Sequence, residues 1–219
     1  MSGKYFTQRL LQGMFSRGIT QQAISLKRTP HDYPPVTGTE HWKRKIRTLF
    51  RSLDVNGDGY ITRKAYEMSA QRVSSYMNLD ENKAKEVMEH RVKIWEAYDR
   101  GTHSDDHQVS EDEYLSELLA VINTTFREAF LALATYEFDA YDMDGDGFIS
   151  PKEHEVFFYS WGIPTEHSAG AFKAVDINGD GLISREEFIQ AGVDFLFGED
   201  ENSPYNIFLG PLANVPLPQ

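Results

Sequence analysis

The sequence predicts a compact, all-α protein of four helix–loop–helix units in two packed pairs. One observation is a twelve-residue segment rich in Asp, Asn and Gly that occurs three times, at residues 54–65, 142–153 and 176–187. A second is the spacing of apolar residues around these segments, which recur three, four and seven positions apart, as on the buried face of a helix. A third is that no alternating apolar–polar run is long enough for a sheet.

Composition narrows the classes of function. The 219 residues carry a formal charge of −12, which argues against nucleic acid as a partner because phosphate binding needs a cationic surface. The chain has no cysteine, so disulfides, thiolate zinc sites and thiol catalysis are excluded. The longest apolar run, Ala129–Ala134, is far too short to span a membrane. We therefore expect an acidic, soluble, monomeric protein without a transmembrane segment.

The N-terminal region has the opposite charge to the rest of the chain. Residues 1–31 contain five of the 22 basic side chains and no acid, which leaves 17 basic and 34 acidic residues, a charge of −17, in the remainder. Thr29–Thr39 is rich in Pro, Thr and Gly and is typical of a linker. We expect residues 1–39 to be a disordered basic extension of a cytoplasmic protein. The alternative is a mitochondrial transit peptide within residues 1–33, because the segment is cationic, acid-free and amphipathic.

The repeated segment has the spacing of a calcium-binding loop of the EF-hand type. Calcium takes about seven oxygens at roughly 2.3–2.6 Å. Positions 1, 3 and 5 supply side-chain oxygens, position 7 a backbone carbonyl, and position 12 a bidentate carboxylate, while a glycine at position 6 permits the sharp turn. Two copies have the complete set of ligands: Asp142, Asp144, Asp146, the Phe148 carbonyl and Glu153 in one, and Asp176, Asn178, Asp180, the Leu182 carbonyl and Glu187 in the other.

An ordinary helix start explains less of this pattern. Ser150 and Ser184 each begin a Ser-x-x-Glu capping box. A capping box after an Asp-Gly turn accounts for two of the twelve positions and leaves the series of acidic residues unexplained. We therefore interpret both segments as metal sites and Ser150 and Ser184 as the starts of the exiting helices.

The first copy, residues 54–65, lacks one ligand. Position 12 is Ala65, which has no side-chain oxygen. Glu67 lies two residues further, about 200° around the exiting helix, and so points away from the ion. We expect weak calcium binding or none. The remaining candidate ligands are Asp54, Asn56, Asp58 and the Tyr60 carbonyl.

A fourth hand is expected between residues 65 and 126, because EF-hands bury their faces in pairs. Trp95 and Tyr98 suit the end of an entering helix, and Val109 and Glu113 suit positions 8 and 12 of a loop. The end of the helix at Tyr98 places position 1 of the loop at residue 99, whereas Val109 at position 8 places it at residue 102. The loop is therefore stretched by three residues, and no glycine stands at its turn. We predict a structural hand without metal. A zinc site is the alternative, but a solvated polar loop is favoured for its polar residues, His103, Asp105, Asp106 and His107.

The predicted organisation is therefore a basic extension (1–39), an N-terminal pair (40–123), a C-terminal pair (124–197) and an aromatic, Pro-rich tail (198–219) that packs back on the body. Residues 40–212 resemble the invertebrate sarcoplasmic calcium-binding proteins and the related luciferin-binding proteins and photoproteins. The most specific part is the segment after the last loop, residues 187–202 with Phe208-Leu-Gly-Pro-Leu212. The resemblance implies two pairs packed face to face. Ala65 departs from the family, whose first loop usually ends in an acid.

Three functions fit these observations. The first is an intracellular Ca²⁺ buffer, with Mg²⁺ as a competitor for the same loops. The second is a calcium-triggered carrier of an apolar ligand such as a coelenterazine-type luciferin, and composition alone leaves open whether the aromatic interior is a core or a cavity. A calcium sensor is disfavoured because none of the six methionines follows Met143, whereas sensors expose a Met-rich groove. No catalytic residue is predicted, since the loops account for the clustered carboxylates.

Overall fold

The computed structural model describes residues 25–98, 107–124 and 126–213, and these residues are mostly helical. The all-α prediction is confirmed. The helices are α1 (Glu40–Leu53), α2 (Arg63–Tyr76), α3 (Glu81–Tyr98), α4 (Glu111–Val121), α5 (Phe126–Tyr141), α6 (Pro151–Ser160), α7 (Ser168–Val175) and α8 (Arg185–Phe197). Short 3₁₀ turns occupy Pro30–Asp32, Thr165–His167 and Pro204–Ile207.

Two short antiparallel ladders join the hands in pairs. Strands β1 (Tyr60–Thr62) and β2 (Gln108–Ser110) place Ile61 opposite Val109. Strands β3 (Phe148–Ile149) and β4 (Ile183–Ser184) place Ile149 opposite Ile183. All four of these central side chains are buried. The arrangement of four hands in two pairs is therefore confirmed, and the divergent second hand keeps the register of its partner.

Side-chain caps start the exiting helices where the sequence places them. The hydroxyl oxygens of Ser150 and Ser184 accept hydrogen bonds from the backbone N–H three residues on, at 3.3 Å in both loops. Thr62 and Ser110 cap α2 and α4 in the same way. Each cap satisfies an N–H that the helix leaves unpaired.

The tail after α8 closes the aromatic core of the C-terminal pair. Phe208 is buried, and its ring centroid lies 5.4 Å from that of Phe188 and 5.9 Å from that of Phe157. Residues 198–213 thus pack against the body. The final six residues, 214–219, lie outside the described part of the chain.

The segment that was expected to be a linker is instead ordered where the structure describes it. Residues 28–39, here called the strap, lie across α5 and α8. The Arg127 guanidinium donates to the carbonyls of Tyr33 and Pro34 at 2.8 and 2.9 Å, and Tyr33 donates its hydroxyl hydrogen to Asp194 at 2.9 Å. The expectation of disorder through residue 39 is therefore wrong for the strap, because side chains of the body satisfy its backbone polar groups. Residues 1–24, which carry most of the proposed transit peptide, lie outside the description.

No single helix among the described residues is long and apolar enough to cross a membrane. Among these residues, the helices α4 and α5 together reach the required length and apolar composition, but they are bent by 116° relative to each other.

Candidate metal centres

The loop 142–153 brings three carboxylates together. Oxygen atoms of Asp142, Asp144 and Asp146 all lie within 4.8 Å of one another. The Asp142 Oδ2 atom accepts the Gly147 N–H at 3.0 Å, and Asp146 Oδ1 accepts the Phe148 N–H at 2.8 Å. These bonds hold the loop around a common centre. Gly147 has a φ of 90°, a conformation that glycine adopts without steric strain.

The carboxylate at position 12 closes the same loop. Glu153 Oε1 accepts the Met143 N–H at 2.9 Å, and Oε2 accepts the Ser150 N–H at 2.8 Å. One side chain therefore joins the start of the loop to the start of α6. Position 12 of a calcium loop supplies the bidentate carboxylate, and Glu153 stands at that position.

The electrostatics of Asp142 fit a cation. Its Oδ1 atom is buried and has no hydrogen-bond partner among the described residues. Burial raises the pKa of the carboxyl, the hydrogen bond from Gly147 lowers it, and the negative charge of Asp146 raises it again. A buried acceptor among like charges is costly unless a cation satisfies it. The residues present therefore fit a Ca²⁺ ion.

The loop 176–187 has the same construction. Asp176 accepts N–H groups from Gly179 and Gly181 at 2.8 and 3.0 Å. Glu187 accepts the Ile177 N–H at 3.1 Å and the Ser184 N–H at 2.9 Å, so it too joins both ends of its loop. Asn178 and Asp180 lie between them and exchange hydrogen bonds of 2.8 Å. The structure thus brings together the side chains predicted for both complete loops, and their binding of Ca²⁺ stays a prediction from this geometry.

Comparison with known proteins agrees with this construction. The model of an EF-hand domain pair matches residues 132–191, and an EF-hand model matches residues 46–64. The luciferin-binding protein of Renilla reniformis is 30% identical over 192 residues, which cover 82% of this chain and all of that protein. The sarcoplasmic calcium-binding protein of Perinereis vancaurica tetradentata is 31% identical, over 78% of this chain and 98% of the relative. The chain belongs to this EF-hand family of sarcoplasmic calcium-binding and luciferin-binding proteins. It is a calcium-binding protein.

Solved structures support the same assignment. The calcium-loaded apo form of the coelenterazine-binding protein from Renilla muelleri has a TM-score of 0.67 and 28% identity, and the match covers 80% of this chain and 99% of that chain. A sarcoplasmic calcium-binding protein from amphioxus has a TM-score of 0.56 at 18% identity, over 80% of this chain and 98% of its own. The second match shows the shared fold alone.

The first loop differs from the two complete loops of this EF-hand protein. Asp54 accepts the Asp58 and Gly59 N–H groups at 3.1 and 2.9 Å, so the loop keeps its turn. Ala65 is 1% exposed and cannot reach across the loop. Glu67 pairs with Arg63 at 3.0 Å, as expected of a residue that points away from the ion.

The polar side chains within the first loop make the same contacts as those of loop 176–187. Asn56 donates to Asp58 at 2.7 Å, and Asp58 Oδ1 accepts the Tyr60 N–H at 3.0 Å. The difference between these two loops lies at position 12, where the first has Ala65 and the other has Glu187. Weak binding or none remains the expectation for residues 54–65.

The second hand contributes packing to the pair. Val109 is 1% exposed in β2, and Ser110 caps α4 by accepting the Glu113 N–H at 3.4 Å. The ring of His107 lies 6.0 Å from that of Trp95. His103, Asp105 and Asp106, which raised the zinc alternative, lie outside the described residues.

A cavity of about 200 Å³ lies between the two pairs. Composition did not distinguish a core from a cavity, and the structure shows that a space remains. Its walls come from α1, α2 and α4 of the N-terminal pair, from α5, α6 and α8 of the C-terminal pair, and from the tail. The side chains that form its apolar walls include Leu53, Leu118, Phe130, Phe157, Phe188, Phe195, Phe208 and Leu209.

Proposed function

We propose that this EF-hand protein is an intracellular calcium buffer that binds two Ca²⁺ ions tightly through the C-terminal pair. The observation that carries the proposal is the closure of both loops by Glu153 and Glu187, each of which reaches the two ends of its loop. The first loop has Ala65 at the same position and adds at most a weak site. The aromatic interior supports a closed buffer, since sensors open a Met-rich groove.

Calorimetric titration of the full chain with Ca²⁺ tests this stoichiometry. We expect two tight sites. Substitution Glu153→Gln should remove one and Glu187→Gln the other, because an amide supplies one neutral oxygen in place of two charged ones. The matched control is Glu67→Gln, which should leave both sites intact because Glu67 pairs with Arg63. Three equivalent tight sites would contradict the role assigned to position 12.

Competition with Mg²⁺ belongs to the same proposal. Three acidic candidate ligands in loop 176–187 and four in loop 142–153, each with one backbone carbonyl, offer the hard oxygen ligands that Mg²⁺ also accepts. Titration of Ca²⁺ in millimolar Mg²⁺ should give a lower apparent affinity at both sites. An unchanged affinity would exclude Mg²⁺ from these loops.

A second candidate function is binding of an apolar small molecule, and the cavity between the pairs favours it. Two of the relatives carry names that refer to a luciferin or to coelenterazine. Coelenterazine added to the protein should then quench the fluorescence of Trp161, which lines the cavity. The titration is made with calcium and with a chelator. Saturable submicromolar binding would establish a carrier, and its absence in both states would leave the buffer alone.

We also propose that the protein is not an enzyme and acts in the cytoplasm. The named relatives bind calcium or luciferin, which supports the first statement. The mitochondrial alternative requires removal of residues before the strap, because the strap packs on the body. Mass spectrometry of the native N-terminus distinguishes the locations: an intact residue 2 excludes import with cleavage.

A further inference from the structure

The strap, residues 28–39, is held by two amide side chains that each bond both polar groups of one strap residue. Gln190 of α8 accepts the Arg28 N–H at 2.9 Å and donates to the Arg28 carbonyl at 3.1 Å. Asn123, in the turn before α5, accepts the Val36 N–H and donates to the Val36 carbonyl, both at 2.8 Å. The strap is thus anchored near both of its ends, once on α8 and once beside α5.

Carboxylates at the C-terminal end of α8 add further anchors. Asp194 accepts the hydroxyl hydrogen of Tyr33 at 2.9 Å. Glu199, two residues beyond α8, accepts the N–H groups of Gly38 and Thr39, each at 3.0 Å. Hydrogen bonds to an ionised acceptor are roughly twice as strong as neutral ones. The positions of α8 and of the strap are therefore set together.

Helix α8 also carries the closing ligand of the second complete calcium loop. Glu187 is its third residue, and Gln190 and Asp194 follow three and seven positions later, on the same side of the helix. Glu187 shares the loop with Asp176 and Asp180, so three negative charges repel one another when no cation is bound. A shift of Glu187 away from the loop would also displace both strap anchors, because a helix moves as a rigid element.

Such a displacement has a cost at the strap. Gln190 is 8% exposed, and the Tyr33 and Val36 side chains of the strap are buried. A buried amide that loses its hydrogen-bond partner loses free energy. In the structure the strap is seated while Glu187 reaches both ends of its loop. The seated strap therefore favours the position of α8 at which the loop is closed.

We propose that the strap is a calcium-linked latch, which raises the affinity of loop 176–187 for Ca²⁺ by holding α8 where Glu187 closes that loop. Gln190 and Tyr33 are positioning residues, because they act on the site through α8. Linkage makes the effect reciprocal, so Ca²⁺ should tighten the strap by the same factor. The inference rests on the first proposed function, calcium binding by the C-terminal pair.

The other complete loop provides an internal comparison. Its closing ligand, Glu153, lies on α6, whereas the strap anchors lie on α8 and near the start of α5. Arg127, which holds strap carbonyls, is 15 positions before the first ligand, Asp142, or about 22 Å along α5. Gln190 is three positions from Glu187. Occupancy of loop 176–187 should therefore affect the strap more than occupancy of loop 142–153.

Hydrogen exchange of the full chain measures the strap directly, with calcium and with a chelator. The reporters are the anchored amides of the strap, those of Arg28, Val36, Gly38 and Thr39. We expect calcium to slow their exchange about fivefold or more in the wild type and to have little effect in Glu187→Gln. Glu153→Gln is the matched control and should keep most of the wild-type slowing.

A variant of the strap anchor measures the reciprocal effect. Gln190→Met keeps the length of the side chain but removes both hydrogen bonds to Arg28. It should lower the calcium affinity of one tight site about fivefold or more. Gln71→Met, the same substitution at an exposed position of α2, is the control and should leave both tight sites unchanged. If Gln190→Met does not fold, Tyr33→Phe, which removes one hydroxyl from the interface, should weaken the same site.

The outcomes separate the latch from the buffer. Strap exchange that calcium leaves unchanged, in a wild type whose calorimetry shows two bound ions, would overturn the latch and leave the buffer. Wild-type calcium affinity in a folded Gln190→Met protein would do the same. Absence of calcium binding in the calorimeter would overturn the buffer proposal and the latch with it.

Discussion

The two EF-hand pairs have the same ladder and the same register but use their polar side chains differently. In the C-terminal pair, Glu153 and Glu187 connect the two ends of each loop. In the N-terminal pair, Ala65 at the corresponding position is buried. Polar side chains of the N-terminal pair instead contact the C-terminal part of the protein. Lys45 donates to the Gly198 carbonyl at 2.5 Å, and Arg91 donates to Glu137.

This difference shows that the turn of an EF-hand loop and the closure of the loop around a metal ion depend on different residues. The turn depends on glycines with positive φ and on a first-position aspartate that accepts backbone N–H groups, and all three acidic loops have both. The closure depends on one residue at position 12. A hand can therefore lose its ion and still serve as a packing surface for its neighbour.

Calcium saturation should give the largest difference between the pairs. At a free concentration about 1,000 times the dissociation constant, each tight site adds about 4 kcal/mol to the free energy of unfolding. Two sites in a protein of this size should raise Tm by roughly 15–30 °C. Calorimetric melting with calcium and with a chelator measures the change. Hydrogen exchange should show the new protection in α5–α8 and little in α1–α4.

The double variant Glu153→Gln/Glu187→Gln is the control for that experiment. It should melt at nearly the same temperature with and without calcium. A shift that survives in the double variant would mean that the N-terminal pair binds calcium tightly, contrary to the comparison above.

Lys45 should make the contact between the pairs dependent on pH. Burial lowers its pKa to about 8 from the ordinary 10.5, although Asp194, Glu199 and Asp200 oppose the decrease. Between pH 8 and 10.5 the unfolded chain binds more protons at this residue, so its contribution to stability rises with pH, and below pH 8 it is constant. The gain is on the order of 3 kcal/mol.

Denaturant unfolding of the wild type and of Lys45→Met checks this sign. The difference in their free energies of unfolding should grow in favour of the wild type from pH 8 to 10 and stay flat from pH 6 to 8. A difference that is constant across both ranges would show that the pKa of Lys45 is the same in the folded and the unfolded protein. Lys43→Met is the matched control, because Lys43 forms an exposed ion pair with Glu40.

A carboxylate introduced at position 12 of the first loop should give the smallest of these effects, a change in the calcium affinity of that loop. Ala65→Glu should raise the calcium affinity of residues 54–65 by at least about tenfold, since Asp54, Asn56 and Asp58 already stand in the loop. Ala65→Gln has the same size without the charge and should give a smaller gain. Calorimetry should then detect a third site in Ala65→Glu. Two sites in both variants would mean that the loop cannot close around an ion for reasons other than position 12.

Local patterns in the sequence were sufficient to predict the four EF-hands and how they pair. The glycine turns, the serine caps and the isoleucine at position 8 act within a few residues, so the periodicity of the repeat predicts them directly. Val109 was placed correctly even in a hand that has lost its loop pattern, because pairing with Ile61 requires an apolar residue there. The candidate ligands of both complete loops followed from the same spacing.

The contacts between distant segments depended on the tertiary structure. Lys45 shares the apolar face of α1 with Trp42 and Ile46, and that position was a signal that it is buried. Its acceptor at Gly198, however, is brought near only by packing. The strap was misjudged for a similar reason, since its hydrogen-bond partners at Asn123, Arg127 and Asp194 lie far along the chain.

The sequence by itself determined the calcium loops, the four hands and their two pairs, because short-range spacing and capping encode them. Only the tertiary structure decided whether the aromatic interior closes. The cavity depends on how the faces of two separate pairs fit together, and a mismatch of volume between side chains that are remote in sequence leaves no periodic pattern. The ion pair of Arg91 with Glu137 arises in the same way, because these two residues are 46 positions apart and their helices meet only in the folded protein.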